Sequence, residues 1–247
     1  MNLSHISLAF DVTSLDKDLS VDYKYEFKQK LRFICNYFSK RIKIEKFKTD
    51  GSYNMISINP VLENNINDSK IVPFNVLKVG VLFDKERYEQ IKGTEDFSYY
   101  LELLEQGFKK ASKFKSIPLE TLLNLIEEFK LGDYKNEWLH KKKRFKEQDI
   151  EVVLNCEFTT NYFQLIATIN QISTKKELVK GVVMKTEPDE VIFQGMLKDI
   201  ILDKNIILTD KSNSPIIVID KKDVFNNNLT FSIVGDLEIK KMLTYKI

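Results

Sequence analysis

The stretch VLKVGVLFDKERYEQIKGTEDFSYYLELLEQGFKKASKFKSIPLETLLNLIEEFKLGDYKNEWLHKKKRFK, residues 76–146, decides how the fold is read. It opens as a buried strand, with Val79, Val81 and Phe83 on one side and Leu77 and Leu82 partly on the other. Asp84 can cap a short helix that turns Tyr88 and Ile91 inward, and Gly93 ends it. Thr94 is expected to cap the next helix, with Glu95 and Asp96 favouring its positive end. Phe97, Tyr100, Leu101, Leu104, Phe108 and Ala111 then recur at helical spacing. Pro118 restarts the pattern, because proline is tolerated in a first turn. Leu119, Leu122, Leu123, Ile126 and Phe129 form a second stripe that stops at Gly132. The two helices are expected to pair antiparallel on one face of a sheet.

Downstream the period changes to two. Ile150, Val152, Leu154, Cys156 and Phe158 alternate with polar residues, and Phe163, Leu165, Ala167 and Ile169 follow after a turn at Thr160 and Asn161. A third run covers residues 178–184. Successive strands with short turns predict an antiparallel meander with one face on a core. Glu187-Pro188-Asp189-Glu190 reads as a helix start, and residues 200–202, 206–209, 216–219 and 231–234 as short strands. The last eleven residues fit either helix or strand.

Upstream, Ile6, Leu8, Phe10 and Val12 share the inward side of a first strand, with His5 opposite. A turn is expected over residues 13–20. Tyr23, Phe27, Leu31, Ile34, Cys35 and Phe38 then mark an amphipathic helix. Residues 41–47 and 53–58, separated by Asp50-Gly51, predict a hairpin. Residues 59–73 hold Pro60 and three asparagines with little periodicity, which makes them a boundary or a long loop. The expected division is an N-terminal portion, residues 1–72, and a helical-pair-plus-sheet domain, residues 73–247. The expected fold class is α+β: an antiparallel meander with an antiparallel helical pair packed on one face.

Composition narrows function by exclusion. The 247 residues carry 38 Lys and Arg against 36 Asp and Glu, so no overall field steers the chain to nucleic acid or an anionic membrane. Hydrophobic content of 43% is enough for a packed core and argues against disorder. The two cysteines, Cys35 and Cys156, lie in apolar patterns and read as small buried hydrophobes. The first eleven residues lack the basic start of a secretory signal, no stretch approaches the roughly 18 apolar residues of a membrane span, and a cytoplasmic location is expected.

Chemistry-bearing residues are few. His5 and His140 are the only histidines, and no nucleophile elbow, zinc spacing or phosphate-cradling loop accompanies them. No catalytic residue, metal ligand or cofactor is assigned. Two carboxylate groupings, Glu127 with Glu128 and Glu187 with Asp189 and Glu190, leave a carboxylate-dependent hydrolase as a residual reading. Charge concentrates in two places. Residues 22–48 hold nine Lys or Arg against three acids. Residues 135–147 hold Lys135, Lys141, Lys142, Lys143, Arg144 and Lys146 against Glu137 and Glu147. Interleaved with Trp138 and Phe145, the second run suits nucleic acid, a protein partner, or simply an edge strand that discourages aggregation. Strict alternation would put Trp138, His140, Lys142 and Arg144 on one side. Those four are the expected partner-binding residues, with Trp138 and Arg144 as anchors.

From Val79-Gly80-Val81-Leu82-Phe83-Asp84 through Tyr134-Lys135-Asn136-Glu137-Trp138, and on into the meander and Glu187-Pro188-Asp189-Glu190, the chain resembles immunity proteins of bacterial polymorphic-toxin systems. The resemblance implies a cytoplasmic, non-enzymatic protein that neutralises a cognate toxin by covering its active site. Immunity proteins against nucleases are often acidic, which counts against a nuclease as the implied target. The alternative is a nucleic-acid-binding protein that uses residues 22–48 and 135–146.

Overall fold

A computed structural model describes residues 1–10, 19–62 and 69–245. The fold is α+β and falls into two compact units, Met1–Lys135 and Asn136–Ile247. The division lies after Lys135, whereas the sequence places it at 72/73. There, Val72 and Val76 face each other across a hairpin.

The first unit contains β1 (His5–Leu8), α1 (Val21–Glu45), β2 (Met55–Val61), β3 (Ser69–Val72), β4 (Val76–Leu82), α2 (Lys85–Ile91), α3 (Ser98–Phe114) and α4 (Leu119–Leu131). Its sheet has the order β1-β2-β4-β3, with β1, β2 and β4 parallel and β3 antiparallel to β4. Parallel neighbours need a long crossover, and α1 supplies the one between β1 and β2. Ser20 Oγ caps α1 by accepting from the Tyr23 N–H at 3.2 Å. The helix runs past residue 41 because Ile42 continues the buried face of Phe27, Leu31, Ile34 and Phe38 at three- and four-residue spacing. The expected strand over 41–47 is therefore helical through Glu45, and no hairpin forms with 53–58. Met55–Val61 pairs with β1 instead. The expected turn over 13–20 and the inward Val12 lie largely outside the described residues. His5 is exposed, opposite the buried Ile6 and Leu8.

The helical pair forms as the two stripes predict. Asp84 caps α2, its carboxylate accepting from the Arg87 N–H at 3.0 Å. The expected Thr94 cap is displaced: Asp96 Oδ1 accepts from the Ser98 N–H, and α3 starts there. The pair's sheet also differs from expectation. α3 lies against β2 and β4 of the first unit, with α4 beside it. Gly107 marks the closest approach, since a Cβ built there would stand 2.5 Å from Ile58 side-chain atoms.

The second unit begins with the meander: β5 (Asn136–Phe145), β6 (Ile150–Phe158), β7 (Phe163–Gln171) and β8 (Glu177–Thr186), antiparallel and in chain order. One face is buried, through Val152, Leu154, Cys156, Leu165, Ala167 and Ile169, as the alternation predicts. The one-turn α5 (Glu190–Phe193) follows, placing Phe193 in a stack 3.7 Å from Phe163. A second antiparallel sheet holds β9 (Asp199–Leu202), β10 (Ile206–Thr209), β11 (Pro215–Ile219) and β12 (Phe231–Ile233). α6 (Lys221–Phe225) and α7 (Leu237–Leu243) both meet β8, while β9 meets β5.

Candidate functional site: the edge strand β5 and the β3–β4 hairpin tip

The basic run is the edge strand of the meander. Its first half pairs Trp138 with Cys156 and Leu139 with Asn155. The register then slips by one residue, and Lys141 pairs with Leu154, Lys142 with Val153, Lys143 with Val152 and Arg144 with Glu151. His140 is the extra residue of a β-bulge, which reverses the facing of everything after it. Trp138, Lys141, Lys143 and Phe145 thus share the side of the buried Cys156, Leu154 and Val152, and Leu139, Lys142 and Arg144 share the outer side. The expected grouping of Trp138, His140, Lys142 and Arg144 on one side does not form. Trp138 is half-buried, its ring 6.0 Å from Phe163, and His140 is exposed at the bulge.

The cations of β5 face carboxylates on both sides. On the outer side, Lys142 Nζ and Arg144 Nε lie 3.0 and 3.2 Å from Glu151. On the inner side, Lys141 and Lys143 lie 2.8 and 3.0 Å from Asp199, at the start of β9. Their ammoniums also donate to the Lys198 and Ile200 carbonyls at 2.8 and 2.7 Å. The hydrogen bonds from Lys141 and Lys143, with the Ile200 N–H, hold the Asp199 carboxyl well below the usual carboxylate range. Four consecutive basic residues are thereby drawn into the architecture of this unit, two joining the sheets and two lying over Glu151.

A prediction follows for Asp199→Ala. Because the pair is part-exposed, screening limits the loss to about 1–2 kcal/mol. The folded carboxyl is depressed, so its stabilisation is present above the unfolded value near 4 and is lost as pH falls through the acid range below it. Urea midpoints between about pH 6 and pH 2 should converge for wild type and variant at the acid end. A constant gap across that range would contradict the assignment.

The carboxylate grouping has a structural use. Asp189 Oδ1 accepts from the Val191 N–H at 3.0 Å as the cap of α5, and Glu187 is exposed. Glu127 pairs with Lys130 at 2.8 Å. Cys156 is buried and lies opposite Trp138 in the register, Cys35 is half-buried rather than buried as expected, and neither cysteine is in a disulfide. Among the described residues no group of three His, Cys, Asp or Glu is placed to hold a metal ion, and no helix is long and apolar enough to cross a membrane.

One feature of the first unit has no counterpart in the sequence reading. The Val72–Val76 pair closes a three-residue loop, Pro73-Phe74-Asn75, at the tip of the β3–β4 hairpin. Phe74 and Asn75 both take left-handed backbone, at φ 65° and 58°. Asparagine tolerates that region, whereas a bulky aromatic is a genuine outlier there. Phe74 is 92% exposed, the most exposed large hydrophobic side chain among the described residues. The tip is held in place: the Asn54 N–H donates to the Asn75 carbonyl at 2.9 Å, and the Asn54 carbonyl accepts from the Ser4 N–H at 2.9 Å. The signal in sequence was an aromatic between proline and asparagine, where turn chemistry favours a small or polar residue.

Comparison with protein-family models, with curated proteins and with solved structures finds no match for this chain.

Proposed function

We propose that this protein acts by stoichiometric protein binding, as an immunity-type protein that occludes a cognate toxin in a cytoplasmic setting. The observation that carries the binding reading is Phe74. An aromatic side chain carried out into solvent on a backbone already held by hydrogen bonds docks without the cost of ordering its loop, and aromatic anchors of this kind dominate interface energetics. The toxin as the partner rests on the resemblance stated above. The nucleic-acid alternative is weakened on β5, because Lys141, Lys142, Lys143 and Arg144 already lie beside Asp199 and Glu151.

The test is co-purification from the native host, with wild type and Phe74→Ala compared by mass spectrometry. One protein recovered at unit stoichiometry by wild type is expected to bind the variant at least about thirtyfold more weakly, the effect of losing a hot spot. Co-expression of that protein should arrest growth, and wild type should restore it. Recovery indifferent to Phe74, or a captured protein with no toxicity, would count against the reading. Salt-steep binding of DNA or RNA would favour the alternative.

A further inference from the structure

We propose that the outer face of the meander is a two-fold interface between two copies of this chain. The register defines that face row by row. At one end lie Glu137, Glu157, Gln164 and Lys185, and at the other Arg144, Glu151, Asn170 and Glu177. Its four corners are therefore Glu137 and Arg144 on β5 and Glu177 and Lys185 on β8, with the sign of charge alternating around the rim. Between them runs the row Leu139, Asn155, Ile166 and Val182, in which Leu139 is 57% and Val182 is 40% exposed and Ile166 is half-buried, with Val153 half-buried in the next row between Lys142 and Thr168.

An alternating rim is complementary to itself. A two-fold axis lying in the interface and running along the strands sets β5 of one copy over β8 of the other. Glu137 then meets Lys185, and Arg144 meets Glu177. The same rotation lays Leu139 on Val182 and Asn155 on Ile166, so the exposed apolar ends of the row coincide. Turning the axis across the strands preserves the charge pairs but sets the apolar row against Lys142 and Lys180. A diagonal axis, which gives orthogonal sheet packing, brings the two corners on the axis onto their own copies and the other two, alike in charge, onto each other, so that it repels at all four. Charge and apolar pattern together select the aligned arrangement, the common one for stacked sheets. Lys142 facing Lys180 is its one like-charge meeting, and Glu151 beneath Lys142 offsets it. The corner cations are already positioned: Arg144 leans on Glu151, and the Lys185 ammonium lies 4.3 Å from the Tyr162 ring centre.

Strand spacing and rise give the face about 500 Å² per copy. That is at the low end for specific interfaces, so a weak, concentration-dependent dimer is expected. Sedimentation equilibrium of the full chain, from roughly 1 to 300 µM, tests it. Because each contact occurs twice in a two-fold dimer, Glu137→Lys should weaken association about tenfold, and Glu137→Lys with Lys185→Glu should restore most of it. Leu139→Asp should abolish it, and circular dichroism would establish that each variant is folded. A single-copy mass at every concentration would overturn the proposal. A dimer insensitive to Leu139→Asp, or a double variant no tighter than Glu137→Lys, would overturn it as well.

Discussion

Phe27→Ala is expected to cost the first unit about 4 kcal/mol, measured as the shift in its urea unfolding free energy. Phe27 is fully buried, and four aromatic rings surround it: Phe10 at 4.8 Å, Tyr88 at 5.3 Å, Tyr100 at 5.5 Å and Phe83 at 5.8 Å between centroids. Those neighbours come from the segment after β1, from α2, from α3 and from the residue that follows β4. One side chain therefore joins α1 to four other parts of the unit. Truncation removes the transfer free energy of a benzyl group and leaves a void that rigid rings cannot close, and each lost aromatic pair adds to the loss. Phe27→Leu, which keeps most of the volume, should cost less than half as much. A loss below about 1 kcal/mol for the alanine variant would mean that the cluster collapses easily and that its packing is not what fixes α1.

Gly107→Ala should destabilise the same unit by about 2 kcal/mol, against the trend for exposed helix positions. Helix propensity alone favours alanine over glycine by about 1 kcal/mol. The new methyl, however, would stand 2.5 Å from both Cγ1 and Cδ1 of Ile58 and 2.7 Å from Cγ2. Ile58 is fully buried on β2 and branched at Cβ, so it cannot swing clear. Either α3 lifts from the sheet or Ile58 leaves its rotamer. Pairing Gly107→Ala with Ile58→Val should recover part of the loss, giving a coupling above about 0.5 kcal/mol in a double-mutant cycle. Strictly additive effects in that cycle would sink the packing argument.

These two positions also show how unevenly the fold could be read. The stripe through Phe108 and Ala111 marks α3 as amphipathic, and Gly107 within it passes as an indifferent helix residue. That Gly107 is the point where α3 touches β2 depends on Ile58, nearly fifty residues earlier. The bulge at His140 is similar. Alternation from Trp138 to Arg144 is unbroken in sequence, and one inserted residue in the pairing with β6 moves Trp138 to the buried side while Lys142 and Arg144 stay outside. A register shift is a property of two strands, so neither strand alone contains it. Phe74 was legible in principle, as an aromatic inside a turn, but its meaning lies in an exposure and a backbone angle that only the closed hairpin defines.

By itself, the sequence determined the α+β class, the helical pair, the meander, the four short strands that follow it, the cap at Asp84 and the helix start at Asp189. All of these are local: hydrophobic period and end chemistry act within about two turns or one strand. Tertiary structure decided the rest. It placed the helical pair on β2 and β4, ran α1 on through Ile42 so that β2 returns parallel to β1, and set the division after Lys135. It also drew the four cations of the basic strand into two carboxylate-centred clamps. Each of those outcomes depends on which distant residue supplies a partner, a neighbouring apolar surface or a counter-charge, and no periodicity within a segment carries that information.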